Sequence, residues 1–340
     1  MLFETREFNN LKKEILNKKN AVIIAHKGPD GDAIGSCLAL YFFLKKLSIN
    51  AHIIIPDAIP QFYNWIEDID KILVYEKNIE NAKNLLENTD LIFMLDFSEL
   101  KRIDKLSALV ENNKALKVVI DHHPNNEKIA DYMFVDSSYS SAAELLYNFM
   151  KSFDIHNIDD KIAEYIFLGM VSDTGSFRFD SAGSDTFQAA SEILKYNIDK
   201  AKIMDGLFNT YSYDRLKLLG YVLSNKTVFL KDKHVTYMSI SLEDKKKFNY
   251  KKGDHEFFVN WGLSIAESNM SVLFLETKEK IRISLRSKGK KINVRKIAKQ
   301  YYSGGGHFNA SGGDSFKSLE QTIKDFVDNI DEILKISLEK

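Results

Sequence analysis

The chain has 340 residues, a net charge of −1 and one cysteine. Such a balance lacks the basic field of a dedicated duplex-DNA binder, and a single thiol excludes an intrachain disulfide. No uninterrupted apolar run reaches the roughly 20 residues of a membrane span, and the length alone favours two domains. In chain order, residues 7–18 read as an amphipathic opening helix. The charged amino end shows no signal-peptide pattern, so the expected location is cytoplasmic. Residues 21–25 form an apolar run that reads as a buried strand, and it leads directly into His26-Lys27-Gly28-Pro29-Asp30-Gly31-Asp32. Gly and Pro force that loop to turn, which gathers His26, Asp30 and Asp32. From residue 33 to 47 the apolar spacing is helical, and Cys37 packs there as a small apolar residue.

The same pattern recurs. Residues 51–55 and 72–75 read as strands, with a short helix near 61–66. The run 91–95 is apolar and ends in Asp96, followed by a helical segment that carries Lys101 and Arg102. An acid at a strand end is ordinarily a helix N-cap, so Asp96 alone signals little. The β-branched run 117–120 ends in Asp121-His122-His123-Pro124. Proline cannot continue a ladder, so these three polar residues stand at the carboxyl end of a strand. Residues 132–135 are a further strand, and 142–153 and 160–170 read as helices. Asp173 lies near the carboxyl end of the second helix, where the dipole disfavours an anion unless a cation is near. Alternating strands and helices predict a doubly wound, mostly parallel sheet over residues 1–183.

Residues 184–226 read as a helical connector without strands. Residues 227–340 then predict a smaller α+β domain. Its strands are expected at 228–230, 235–240, 270–276 and 280–285, with helices at 243–247, 294–301 and 319–338. Its site-like feature is Ser303-Gly304-Gly305-Gly306-His307. Lysine runs at 245–247, 251–252 and 288–291 read as solvated faces.

Collected together, His26, Asp30, Asp32, Asp96, His122 and Asp173 mostly follow strand ends on separate segments. Ligands bind along that edge of an open α/β sheet. Mixed imidazole and carboxylate donors suit divalent ions such as Mn²⁺ or Fe²⁺ better than Ca²⁺. Six donors exceed what one open catalytic ion takes, and they suit two ions sharing a carboxylate, for which Asp96 is the natural bridge if its strand is central.

The set His26-x3-Asp30-x-Asp32, Asp96, Asp121-His122-His123 and Asp173 resembles the DHH phosphoesterase superfamily. Ser284-Leu285-Arg286-Ser287 and Gly304-Gly305-Gly306-His307-x2-Ala310 resemble its associated DHHA1 domain, so the resemblance spans nearly the whole chain. It implies two domains with the active site in a cleft, and Mn²⁺-dependent hydrolysis by a water activated between two ions. By resemblance His26, Asp30 and Asp96 would hold one ion, and Asp32, Asp96, His122 and Asp173 the other. His123 would face the scissile phosphate, and Asp121 would orient the histidines. Arg286, His307 and the glycines Gly304, Gly305 and Gly306 would grip the substrate's other phosphate, with Arg102 as a weaker match. Ser303 stands where the family often has a fourth glycine.

The compact, free-standing architecture is similar to enzymes acting on small adenine nucleotides. The expected activity is a phosphodiesterase on cyclic di-AMP or pApA and very short oligoribonucleotides, releasing 5′-mononucleotides. The alternative is a phosphatase on 3′-phosphoadenosine 5′-phosphate (PAP). A reading of another class is a catalytically silent nucleotide-binding regulator, against which the intact ligand set argues. A family-type pyrophosphatase fits less well, because the Gly-rich His motif replaces the basic signature expected there. The expected partner is a small nucleotide, with no duplex DNA and no membrane, and the resemblance is compatible with a homodimer.

Overall fold

The computed structural model describes residues 3–124 and 127–338, which form two compact units, residues 1–210 and 211–340. In the first unit the strands are β1 (Asn20–Ala25), β2 (Asn50–Ile55), β3 (Ile72–Val74), β4 (Leu91–Leu95), β5 (Leu116–Asp121) and β6 (Tyr132–Val135). Every pairing between them is parallel, in the order β3-β2-β1-β4-β5-β6. The expected doubly wound sheet is therefore present, and strand order reverses between β1 and β4. A crevice opens at such a switch point, outside the carboxyl ends of the strands. Its two flanking strands are those that end in His26 and Asp96. Asp96 thus follows an interior strand of the sheet.

Both faces of this sheet are covered, which is why its strands read as continuous apolar runs. The first unit's helices are α1 (Arg6–Leu16), α2 (Gly31–Lys46), α3 (Ile79–Glu87), α4 (Ser107–Glu111), α5 (Ala142–Asp154), α6 (Asp160–Asp173), α7 (Ser184–Ile193) and α8 (Lys200–Phe208). On β1, Ala21, Ile23 and Ala25 face the core shared with α1, α2, α5 and α6, while Val22 and Ile24 face the core under α3 and α4. Helices α2 and α6 touch at backbone distance. A Cβ on Gly35 would sit 2.5 Å from the Tyr165 carbonyl oxygen and 2.9 Å from the Gly169 nitrogen. Only glycine allows that approach.

The second unit contains α9 (Tyr213–Asn225), α10 (Leu242–Lys247), α11 (Phe258–Gly262), α12 (Val294–Tyr301), α13 (Leu319–Asp328) and α14 (Ile330–Leu338). Its strands are β7 (Thr227–Leu230), β8 (Val235–Ile240), β9 (Met270–Glu276), β10 (Ile281–Ser287), β11 (Gly305–Gly306) and β12 (Ala310–Ser315), in the order β11-β12-β10-β9-β8-β7. All neighbours are antiparallel except β8 and β9. One core lies between this sheet and α12–α14, and a second lies under α9–α11. The helices of residues 184–226 divide between the units: α7 and α8 belong to the first, α9 to the second. The expected single helix over 319–338 is two, separated at Asn329, which is the C-cap of α13. No described helix is long and apolar enough to cross a membrane.

Candidate metal centre

The loop after β1 is set by local chemistry. Gly28 adopts φ +66°, and its N–H donates to the buried Asp57 carboxylate at 2.6 Å. Asp30 N-caps α2, its Oδ1 accepting from the Asp32 and Ala33 N–H groups at 3.0 and 3.1 Å. One turn of chain therefore directs His26, Asp30 and Asp32 to the switch point. Asp32 is fully buried, and its Oδ2 and Oδ1 accept the Ala142 and Ala143 N–H groups at 2.7 and 2.9 Å. Those are the first two residues of α5, so the carboxylate is seated on a helix N-terminus, the favourable end for an anion.

Asp96 is the hub. It follows β4 with φ +63° and is 2% exposed. A non-glycine residue in the left-handed region is strained, and such strain concentrates at functional sites. Its Oδ2 lies 3.3 Å from His26 Nε2 and its Oδ1 lies 3.5 Å from His122 Nε2. One carboxylate thus faces an imidazole on each side. Oδ1 is buried and accepts no hydrogen bond among the described residues. A buried carboxylate oxygen left this way is costly unless a cation completes it.

The imidazoles are aimed from behind. His26 Nδ1 lies 3.0 Å from the Lys27 carbonyl oxygen, and His122 Nδ1 lies 3.3 Å from that of Tyr139. A carbonyl accepts only, so each Nδ1 carries the proton and each Nε2 turns to the carboxylates. His122 Nε2 also lies 3.4 Å from Asp173 Oδ2 and 3.9 Å from Asp32 Oδ2. Asp173 is the last residue of α6, which runs three residues past the helix end expected at 170. Ligand atoms of His26, Asp30 and Asp96 lie within 4.8 Å of one another, and so do those of Asp32, Asp96 and His122. The two groups share Asp96. These residues could hold metal ions.

Charge crowding shows in the protonation equilibria. Burial pushes the Asp173 carboxyl up to about 6, with Asp30 and Asp96 adding to the rise against the pull of His122. Burial, with Asp96 and Asp173 nearby, also raises Asp32 well above the usual carboxylate range. Burial opposes ionisation of Asp96, but the His122 and His26 imidazoles outweigh it and hold the carboxyl well below that range. Burial disfavours the imidazolium of His122, yet Asp96, Asp173 and Asp32 outweigh it and raise its pKa well above the ordinary value. Protons here neutralise the charge that divalent ions would neutralise.

Asp121 supports His123. Its Oδ1 accepts from His123 Nδ1 at 2.7 Å and from the His123 backbone N–H at 3.1 Å. Its Oδ2 accepts from the Ser98 hydroxyl at 2.6 Å. Both Asp121 and Ser98 are buried, whereas the His123 side chain is 25% exposed. Arg102 is exposed, and its carbonyl accepts the Lys27 N–H at 2.8 Å, beside His26. Sequence reasoning passed over Ser98 and the Gly31, Gly35 and Gly169 contacts between α2 and α6. The first had only its place two residues after Asp96 to mark it. The second had the i, i+4 spacing of Gly31 and Gly35.

In the second unit, Arg286 lies on β10 opposite Ala310 of β12 and Ser271 of β9. Gly304 to His307 lead into a hairpin in which Gly305 and Gly306 pair with Gly312 and Ser311. The His307 N–H donates to the Ala310 carbonyl at 2.8 Å. A Cβ on Gly304 would meet the Gly312 carbonyl oxygen at 2.0 Å, and Gly306 has φ +135°, so the hairpin itself demands both glycines. A Cβ on Gly305 would meet nothing within 4 Å. Packing does not explain that glycine, and it lies on an edge strand.

Residues 20–170 match the DHH family, N-terminal domain, and residues 232–336 match the DHHA1 domain. The chain belongs to the DHH family. An exopolyphosphatase-related protein from Bacteroides fragilis superposes with a TM-score of 0.91 at 38% identity, over 97% of each chain. The probable bifunctional oligoribonuclease and PAP phosphatase NrnA of Streptococcus mutans is 28% identical over 330 residues, covering 96% of this chain and 99% of that protein. The bifunctional oligoribonuclease and PAP phosphatase NrnA of Bacillus subtilis is 28% identical over 300 residues, covering 87% of this chain and 89% of its own.

Proposed function

We propose that this hydrolase of the DHH family is a metal-dependent phosphodiesterase. Its substrates would be small adenine dinucleotides, such as cyclic di-AMP or pApA, and very short oligoribonucleotides, which it cleaves to 5′-mononucleotides. The observation that carries the reading is the Asp96 carboxylate, placed between the Nε2 atoms of His26 and His122 with one buried oxygen unbonded. The names of the Streptococcus and Bacillus relatives support the substrate class.

The residues fit a pair of divalent ions: His26, Asp30 and Asp96 for one, and Asp32, Asp96, His122 and Asp173 for the other. A mixed nitrogen and oxygen donor set without thiolate favours Mn²⁺. Such ions, when bound, acidify water and offset charge on phosphoryl oxygens. The chain's own groups do the rest. His122 keeps Nε2 directed inward because Nδ1 is committed to the Tyr139 carbonyl. His123, held through Nδ1 by Asp121, presents the opposite edge of its ring to a phosphate. Protonated, it stabilises charge there or donates to the leaving oxygen. Arg286, His307, the Gly304–Gly306 segment and Arg102 would hold the remainder of the nucleotide, the arginines by bidentate contacts. A cytoplasmic, homodimeric enzyme belongs to the same proposal.

The test is one set of rates with Mn²⁺ on cyclic di-AMP, pApA, a short RNA, PAP and a polyphosphate. The last is included for the name of the Bacteroides protein. Fastest turnover of pApA and short RNA is expected. Turnover of PAP above that of pApA would favour the PAP phosphatase reading, which the relatives' names also support. Absence of metal-stimulated release from every substrate would leave a nucleotide-binding regulator.

A further inference from the structure

The turn that leads into α5 holds two of the proposed ligands at once. The Tyr139 carbonyl accepts His122 Nδ1–H, and the Ala142 and Ala143 N–H groups donate to Asp32. Residues 139–143 therefore aim an imidazole from the end of β5 and a carboxylate from α2. The ligand atoms of both fall in one group with Asp96.

Glu144, on the first turn of α5, fastens this turn from behind and is 2% exposed. Its Oε2 accepts the Ser140 N–H at 3.0 Å, the Ser140 hydroxyl at 2.6 Å and the Thr186 hydroxyl of α7 at 2.9 Å. Among the described residues it pairs with no cation. A carboxylate buried with neutral donors alone is costly, and helix stability by itself does not require one. The ordinary role of an acid three residues into a helix is a capping box, in which it accepts the N–H of the N-cap residue. Half of that box is present: the N-cap Ser141 hydroxyl accepts the Glu144 N–H at 3.0 Å. The other half is displaced, because Glu144 reaches past Ser141 to the N–H of Ser140. That N–H lies in the same peptide plane as the Tyr139 carbonyl. The contacts thus run unbroken from carboxylate to N–H, and from carbonyl to imidazole. Hydrogen bonds in series polarise one another, and an anion behind a histidine fixes its ring and strengthens it as a ligand.

We propose that Glu144 is a positioning residue of the metal centre, which acts through the Tyr139–Ser140 peptide to fix Nε2 of His122. The inference rests on the metal-dependent reading above and goes beyond its ligand set. Its effect falls on the ion assigned to Asp32, Asp96, His122 and Asp173, and spares the ion assigned to His26, Asp30 and Asp96.

The test titrates the full chain with Mn²⁺ by calorimetry, as parent, Glu144→Ala, Glu144→Gln and Thr186→Val. Glu144→Ala is expected to weaken one of two binding steps by about 10–100-fold, the usual effect of losing the outer partner of a ligand, and to leave the other unchanged. The isosteric Glu144→Gln should show a smaller loss on the same step, and it carries the test if Glu144→Ala does not fold. Thr186→Val cuts only the tie to α7, so it should lower Tm and leave both steps at the parent's values. A second readout needs no metal. In imidazole ¹⁵N NMR spectra of the metal-free chain, the buried Nδ1 proton of His122 should exchange with water about tenfold faster in Glu144→Ala than in the parent. Binding steps that both stay at the parent's values, or an unchanged exchange rate, overturn the proposal. An equal loss of Mn²⁺ affinity in Thr186→Val also overturns it, since Glu144 would then be a tie between helices. A parent that binds no Mn²⁺ refutes the metal reading instead, and the exchange rates alone then judge Glu144.

Discussion

Replacing Ser98 by alanine separates the support of His123 from the holding of metal. The Ser98 hydroxyl donates to Asp121 Oδ2 at 2.6 Å, and both residues are at most 1% exposed. The substitution leaves a buried carboxylate oxygen short of a partner, and hydrogen bonds to charged groups are worth about 1.5–3 kcal/mol. For a unit of this size each kcal/mol moves Tm by about 2–4 °C, so a fall of about 3–12 °C is expected. Burial pushes the Asp121 carboxyl up, and the hydrogen bonds from His123 and Ser98 outweigh it, holding it below its usual range. Without Ser98 that hold slackens, and His123 is less well fixed. Losing such an outer contact typically costs 10–100-fold, so a fall in kcat of about tenfold is expected. Neither Ser98 nor Asp121 is a proposed ligand, so Mn²⁺ affinity by calorimetry should stay within about twofold of the parent. Unchanged Tm and kcat would refute the support role. A loss of metal affinity as large as the loss of kcat would show that Asp121 acts through His122 instead.

Three further outcomes follow from the geometry. In EDTA, the raised Asp173 pKa means the folded chain keeps that proton longer than the unfolded chain. Its contribution to stability therefore falls as pH rises from about 4 through about 6, and the loss is complete above that. Urea titrations of Asp173→Asn should lack that decline. Gly35→Ala drives a methyl into the Tyr165 carbonyl, 2.5 Å from the ideal Cβ, and should cost about 1–3 kcal/mol. It should also weaken Mn²⁺ binding, because it separates the helices that carry Asp32 and Asp173. Ser303→Gly should stabilise the chain by about 0.5–1 kcal/mol in denaturant titrations, since Ser303 holds φ +47°.

The strand ends were legible because a parallel sheet covered on both faces writes its strands as apolar runs, and the first polar residue marks the rim. His26, Asp96 and Asp121 to Pro124 were found that way. Strand order was not legible, since it depends on pairing, and so the switch point between β1 and β4 emerged only in the fold. Long-range contacts were equally hidden. The α5 N-terminus that seats Asp32 lies 110 residues away in the chain. Strands β11 and β12 had no apolar alternation to announce them, because they are built from Gly, Ala, Ser and Asp. The glycines before His307 read as one phosphate-binding feature. The hairpin accounts for Gly304 and Gly306 and leaves Gly305 without a packing explanation.

The chain's single thiol, Cys37, is fully buried on α2, one turn beyond Asp32 and Ala33, and burial pushes its pKa far above the ordinary thiol value. A thiol so placed is inert towards disulfide reagents until α2 lifts from the sheet. The helix that carries Asp32 thus holds its own chemical clock. The rate at which Cys37 becomes modified counts openings of the first unit and ignores those of the second. Mn²⁺ bound to the aspartates at the start of α2 should slow that clock by the factor 1 + [Mn²⁺]/Kd. A labelling experiment on the unaltered protein would then yield the metal affinity without any substrate being turned over.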